Sequence, residues 1–128
     1  MTLTDNEIES AIRLNSEKRF EYAIKRIADN ESLYSAKFPD GDYALIHGDN
    51  TYLFPIWSAH EYCEKVISGS TIQSVEFSLD QFVDEITDLI SSNGWKLAVF
   101  PLSNGDSGKI TTLNEFCESL KSALEDYE

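Results

Sequence analysis

The side chains best suited to nucleophilic or metal chemistry in this chain are two histidines and two cysteines. His60 and Cys63 stand three residues apart. On a helix that spacing makes them neighbours, and a Cys–His nucleophile pair needs a thiolate beside a base. Cys63, however, falls in step with Ala59, Tyr62, Val66 and Ile67, while His60 falls on the polar side. Packing is the expectation for Cys63 and solvation for His60. His60 and Glu64 are spaced i, i+4, and His47 is the one other histidine. No HExxH or paired CxxC motif completes a zinc set. Asp40, Asp42, Asp49 and Asn50 lack the order of an EF-hand loop and read as turn residues. Ser103-Asn104-Gly105-Asp106-Ser107-Gly108 is rich in glycine. A phosphate loop would lead directly into a helix, whereas here a short strand follows and Asp106 would repel phosphate. It reads as a hairpin loop. No catalytic residue, metal site or cofactor is assigned.

The carboxylates are more informative. The chain of 128 residues carries 23 acidic against 10 basic side chains, a formal net charge of −13. Affinity for nucleic acid comes mainly from Lys and Arg on phosphates, so nucleic acid is not expected as a partner, nor is an anionic membrane surface. The same field would draw in a basic protein. Between Val66 and Trp95 there is no Lys or Arg, yet Glu76, Asp80, Asp84, Glu85 and Asp88 all lie there. Asp80, Asp84 and Asp88 are four apart and stack on one helical face, opposite Leu79, Phe82 and Ile86. Like charges at that spacing each cost a few tenths of a kcal/mol. The face is either simply solvated or a docking surface for a cationic partner. Glu115, Glu118, Glu125, Asp126 and Glu128 would extend the field. Tyr43, Tyr52 and Trp57 are the candidate aromatic anchors, with core packing the competing reading.

Helices and strands must position these groups. Thr4 with Glu7, Ser78 with Gln81 and Thr112 with Glu115 form capping boxes. They open helices carrying Ile8, Ala11 and Ile12, then Phe82, Val83, Ile86 and Ile90, then Leu113, Phe116, Leu120, Leu124 and Tyr127. A further helix runs from Ser16 to about Ala28, and Ser58 reads as the N-cap of another. Leu33–Lys37, Tyr43–His47 and Thr51–Ile56 read as strands joined by the turns Pro39–Asp42 and Gly48–Asn50, an antiparallel meander. Ile72–Phe77, Trp95–Phe100 and Lys109–Thr111 supply the remaining strands. Asn93-Gly94 is a helix stop, and the apolar run after it predicts a central strand. The expected architecture is an α+β single domain. It has a mixed or antiparallel sheet of about five or six strands packed by four or five helices.

Several of these segments resemble, in order and spacing, the bacterial DUF2750 family, a domain of unknown function. The resemblance rests on Arg19-Phe20-Glu21-Tyr22, on Phe54-Pro55-Ile56-Trp57 with His60-Glu61-Tyr62, on Phe77-Ser78-Leu79-Asp80-Gln81-Phe82 and on Leu97-Ala98-Val99-Phe100-Pro101. The chain departs from the family pattern at Ser58, where proline is common, and at Tyr34, where tryptophan is common. It also lacks a tryptophan usual near Thr71 and Ile72. It resembles a divergent member. The resemblance implies a compact α/β domain and supplies no catalytic residues.

The N-terminus lacks the basic start and apolar run of a signal peptide, no stretch is long enough to span a bilayer, and two apolar-face cysteines suit a reducing compartment. A cytoplasmic protein is expected. The expected function is non-enzymatic binding of a basic protein, most concretely an immunity protein that neutralises a nuclease-type bacterial toxin. The alternatives are a housekeeping domain for a small ligand or peptide, which a pocket lined by Trp57, Tyr62 and Trp95 would favour, and a small hydrolase using His60, Cys63 or acidic pairs.

Overall fold

The computed structural model describes residues 4–125. Tyr127, Asp126 and Glu128, named above, lie outside the described residues. Helix α1 (Asp5–Arg13) starts where Thr4 accepts the Glu7 amide, and α2 (Ser16–Asn30) where the Asn15 side chain accepts the Lys18 amide. Each cap satisfies an amide that the helix itself leaves open. Strand β1 (Ser32–Lys37) follows, then β2 (Ile46–His47), β3 (Tyr52–Ile56), α3 (His60–Ile67) and β4 (Gln73–Ser78). A helical rod over 79–93 comprises α4 (Leu79–Gln81), a π-helical turn (Phe82–Ile86) and α5 (Thr87–Asn93). Strands β5 (Lys96–Val99) and β6 (Lys109–Thr111) and helix α6 (Leu113–Glu125) complete the chain. No helix among the described residues is long and apolar enough to cross a membrane.

The six strands and mixed pairing match the expectation, but they divide into two ladders. One holds four strands in the order β2-β3-β5-β6, and the other pairs β1 with β4. β3 and β5 run parallel, and β5 and β6 form an antiparallel hairpin. β5 is central, and Leu97, Ala98 and Val99 are fully buried, as the apolar run predicts. The expected meander is corrected. β1 takes β4 as its antiparallel partner, with Leu33 opposite Phe77. Tyr43 makes one isolated bridge to Lys37, and only Ile46 and His47 of its run pair with β3. Two backbone bonds of 2.9 Å between Tyr34 and Trp57 join the ladders.

The rod also differs from the expected regular helix. An α-helix turns about 100° per residue, so four residues overshoot a full turn by about 40°. The Thr87 amide bonds to the Phe82 carbonyl, five residues back, and this wider turn brings four residues closer to one revolution. Phe82, Ile86 and Ile90 therefore stay in line, all buried, while Val83 is 57% exposed. Val83 was expected in the buried stripe, and the π turn is what moves it out.

In the first turn of α2, Arg19 is buried. Its Nη1 donates to the Leu14 carbonyl at 2.5 Å and its Nη2 to the Asp106 carboxylate at 2.8 Å. The guanidinium carbon lies 6.0 Å from the centre of the Phe100 ring. Lys109 pairs with Glu17 beside it. The β5–β6 loop is thus bolted to α2. Phe100 enters this loop with φ 63°, a left-handed conformation unusual for a bulky residue. Its ring then packs 4.5 Å from Tyr62. Gly108, at φ +74°, passes so close to β5 that a Cβ would lie 2.7 Å from the Phe100 oxygen and nearer still to that of Val99.

Gly108→Ala is expected to cost at least about 2 kcal/mol in urea unfolding, because the clash and the positive φ act together. Asp106→Asn is expected to cost about 2 kcal/mol at neutral pH by stranding the buried guanidinium, a figure reduced from that of a fully buried pair because Asp106 is partly solvated. The Gly108 amide first, then Arg19, hold the Asp106 carboxyl below the usual carboxylate range. A depressed folded value stabilises above the unfolded value of about 3.9 and loses that stabilisation as pH falls through the folded value. The gap between parent and Asp106→Asn unfolding midpoints should therefore close in acid.

Candidate functional site

Two surface features stand out from the sequence up. The first is the rod. Ser78 caps it by accepting the Gln81 amide at 3.1 Å, and Gly94 ends it in a left-handed conformation. With Phe82, Ile86 and Ile90 turned inward, Asp80, Asp84, Glu85 and Asp88 are all exposed. Val83 stands exposed among them. Among the described residues, none of these four carboxylates pairs with a cation. The structure brings Tyr43 to this face. Its ring packs 5.2 Å from Phe54 and 6.1 Å from Phe77. Burial first, and the nearby Glu85 charge second, push its phenol up. Tyr52 is 45% exposed and its ring lies 4.9 Å from that of His47. The neighbouring Thr51 hydroxyl ties this corner to the Gly94 carbonyl at the rod's end, at 2.8 Å.

Trp57 is corrected as an anchor. It is fully buried, and its indole Nε1 donates to the Pro101 carbonyl at 3.0 Å. A buried indole needs such a partner, and this one locks β3 to the β5–β6 loop. Glu76 does not join the rod face either. It lines a pocket, where its carboxylate accepts the Tyr34 hydroxyl at 3.0 Å.

That pocket is the second feature, a polar hollow of about 300 Å³. Tyr22 and Arg26 of α2, Tyr34 of β1, Ser58 and His60 at the start of α3, and Glu76 of β4 shape it. Burial and then the Glu76 bond push the Tyr34 phenol up to about 12. The Tyr22 hydroxyl donates to Glu7 at 2.6 Å and meets the Tyr62 hydroxyl at 2.7 Å. Ser58 is not the N-cap expected of it. Ala59 holds that position without a side-chain bond, and the Ser58 Oγ is buried with no partner among the described residues. The reason is geometric: Trp57 still pairs with β1, so the chain is extended through Ala59 and the helix starts one residue later.

His60 and Cys63 are not drawn together. The Cys63 thiol bonds to the Ser35 carbonyl at 3.6 Å, and burial pushes it up to about 12. The His60 imidazole is exposed, with its Nε2 3.7 Å from Glu61. Trp57, Tyr62 and Trp95 do not frame a common pocket: the first two are buried, and Trp95 stacks on Phe54 at 6.3 Å. Arg19, Ser58 and the polar pocket were missed by sequence reading. A guanidinium in step with Ala23 and Ile27 on the inner face of α2 was the one available signal.

The fold and its two features define a small α+β domain with an acidic helical face and a polar pocket at a strand-to-helix junction. The chain belongs to the family described as a protein of unknown function, DUF2750, which it matches over residues 20–120. No curated protein and no solved structure matches it. The Phe54–Trp57 and His60–Tyr62 segments that carry the resemblance flank the pocket's Ser58.

A thiol reagent at pH 8 should modify Cys117, which is half-buried, well before Cys63. Mass spectrometry of the labelled native protein checks this, and both sites should react after unfolding in urea.

Proposed function

We propose that the chain works by binding, without catalysis of its own, and that its acidic rod docks a basic protein in the cytoplasm. The most concrete version is an immunity protein that neutralises a basic, nuclease-type bacterial toxin by direct contact. The observation that carries this reading is the rod face. Asp80, Asp84, Glu85 and Asp88 point to solvent with no lysine or arginine within the stretch 66–95. A merely solvated helix face gains from mixed charges, whereas these like charges repel one another. A cationic partner reverses that cost and is steered in by the field. Val83 adds an exposed apolar contact amid the carboxylates. Tyr43 and Tyr52 remain the candidate aromatic anchors, since such rings often carry much of an interface's energy.

The charge is also unevenly distributed. α2 carries Lys18, Arg19, Lys25 and Arg26, four of the chain's 10 basic residues, and the rod carries none. A cationic partner is thus drawn to the rod rather than to α2.

The first partner to test is a basic toxin domain encoded beside this chain's gene. The two should co-purify, and Asp84→Lys combined with Asp88→Lys should slow association at least tenfold at low salt. Stopped-flow mixing measures the rate. The substitutions remove repulsion at exposed positions, so the unfolding midpoint should not fall. An association rate that is unchanged by the substitutions and by added salt would sink the assignment to this face.

A further inference from the structure

The two-stranded ladder has an open side. β4 pairs with β1 alone, and the antiparallel register fixes where each of its backbone groups points. The Leu79 amide donates to the Glu31 carbonyl at 3.0 Å, so Phe77, Val75 and Gln73, at steps of two, turn their amides and carbonyls toward β1. Tyr34 and Ala36, opposite Glu76 and Ser74, make their bonds on the far side of β1, with Trp57 and Ala44, as that alternation requires. The amides and carbonyls of Ser74 and Glu76 therefore point outward, and the Ser78 amide with them. Among the described residues nothing bonds to these groups.

At six residues, β4 is longer than either outer strand of the four-stranded sheet. Proteins commonly close such edges with proline, lysine or a bulge. β4 contains neither proline nor lysine and pairs without a bulge. Its one charge is Glu76, an exposed carboxylate held by the Tyr34 hydroxyl and paired with no cation among the described residues. In an added antiparallel strand, the residue directly opposite Glu76 stands on the same face as its carboxylate. A lysine or arginine is favoured there and an acid repelled. The flanking residues fall on the face of Val75, half-buried, and Phe77, buried, where apolar side chains extend the core. A second copy does not fit, because it would bring a net charge of −13 against its equal.

We propose that β4 takes up an extended segment of a basic protein as a third, antiparallel strand of its ladder. A basic residue faces Glu76, and apolar residues face Val75 and Phe77. This edge site rests on the reading of the chain as a docking domain for a basic protein, and it specifies the conformation and alternation of the segment bound.

A magnetic-resonance titration of the full chain with the capped peptide Lys-Val-Lys-Val-Lys-Val-Lys tests it. Binding should saturate and slow hydrogen exchange at the Ser74 and Glu76 amides at least tenfold. N-methylating the lysines removes the amides that face β4 and should weaken binding at least tenfold, whereas N-methylating the valines, whose amides face away, should weaken it far less. Ser74→Pro removes an outward amide but no bond to β1, and Glu76→Lys reverses the facing charge; each should weaken binding at least tenfold. The methylated pair alters the ligand alone, so it decides the matter should Ser74→Pro fail to fold. The proposal is overturned if the peptide does not bind, if the two methylated peptides bind alike, if exchange at Ser74 and Glu76 is unchanged, or if folded variants bind as the parent does. A toxin domain whose association still responds to Asp84→Lys with Asp88→Lys would then leave the docking reading standing without the edge.

Discussion

The contact between Arg19 and Asp106 is the constraint on which the rest of the structure depends. It joins residues 87 apart in sequence and fixes α2 to the loop that leaves the central strand. A buried guanidinium is costly unless paired and bonded, and here two of its nitrogens are served while Nε goes without a partner among the described residues. The loop is shaped to make the pairing possible. Asn104 turns Asp106 through its amide, Asp106 in turn accepts the Gly108 amide, and Gly108 passes where no side chain fits. Phe100 takes a left-handed backbone, which brings its ring beneath Arg19 and against Tyr62. From that ring the packing runs through Tyr62 to Tyr22 and so to the pocket wall.

Local signals were legible in the sequence, and distant pairings were not. The caps at Thr4, Ser78 and Thr112 and the stop at Gly94 depend on backbone partners three or four residues away, so the sequence displays them directly. The central position of β5 was legible because burial on both faces leaves a continuous apolar run. The partner of β1 was not, since β4 lies beyond two further strands and a helix. Asp106 looked like a loop carboxylate, and only the fold brings a buried arginine to it. The π turn left no sequence mark, because a stripe containing Val83 suits an ordinary α-helix equally well.

The same division holds for the candidate site. The rod's carboxylates lie on one element, so their shared face could be read from spacing alone. The pocket draws on α2, β1, the β3–α3 junction and β4, and none of these segments stands out on its own. Trp57 is a candidate anchor from its residue type alone, yet its indole is committed to Pro101 inside the core. Ser58 was read as a cap because serine favours that role, but the extended pairing of Trp57 delays the helix by one residue.

The four-stranded sheet ends on β2 at one side and β6 at the other, strands of two and three residues. An open strand edge is a template on which further chains can add, and short edges offer few rungs. Together with mutual repulsion between copies at −13, these short edges disfavour stacking through the four-stranded sheet. Short outer strands thus limit what this sheet can template, even though Tyr52 on β3 and Ile110 on β6 are exposed.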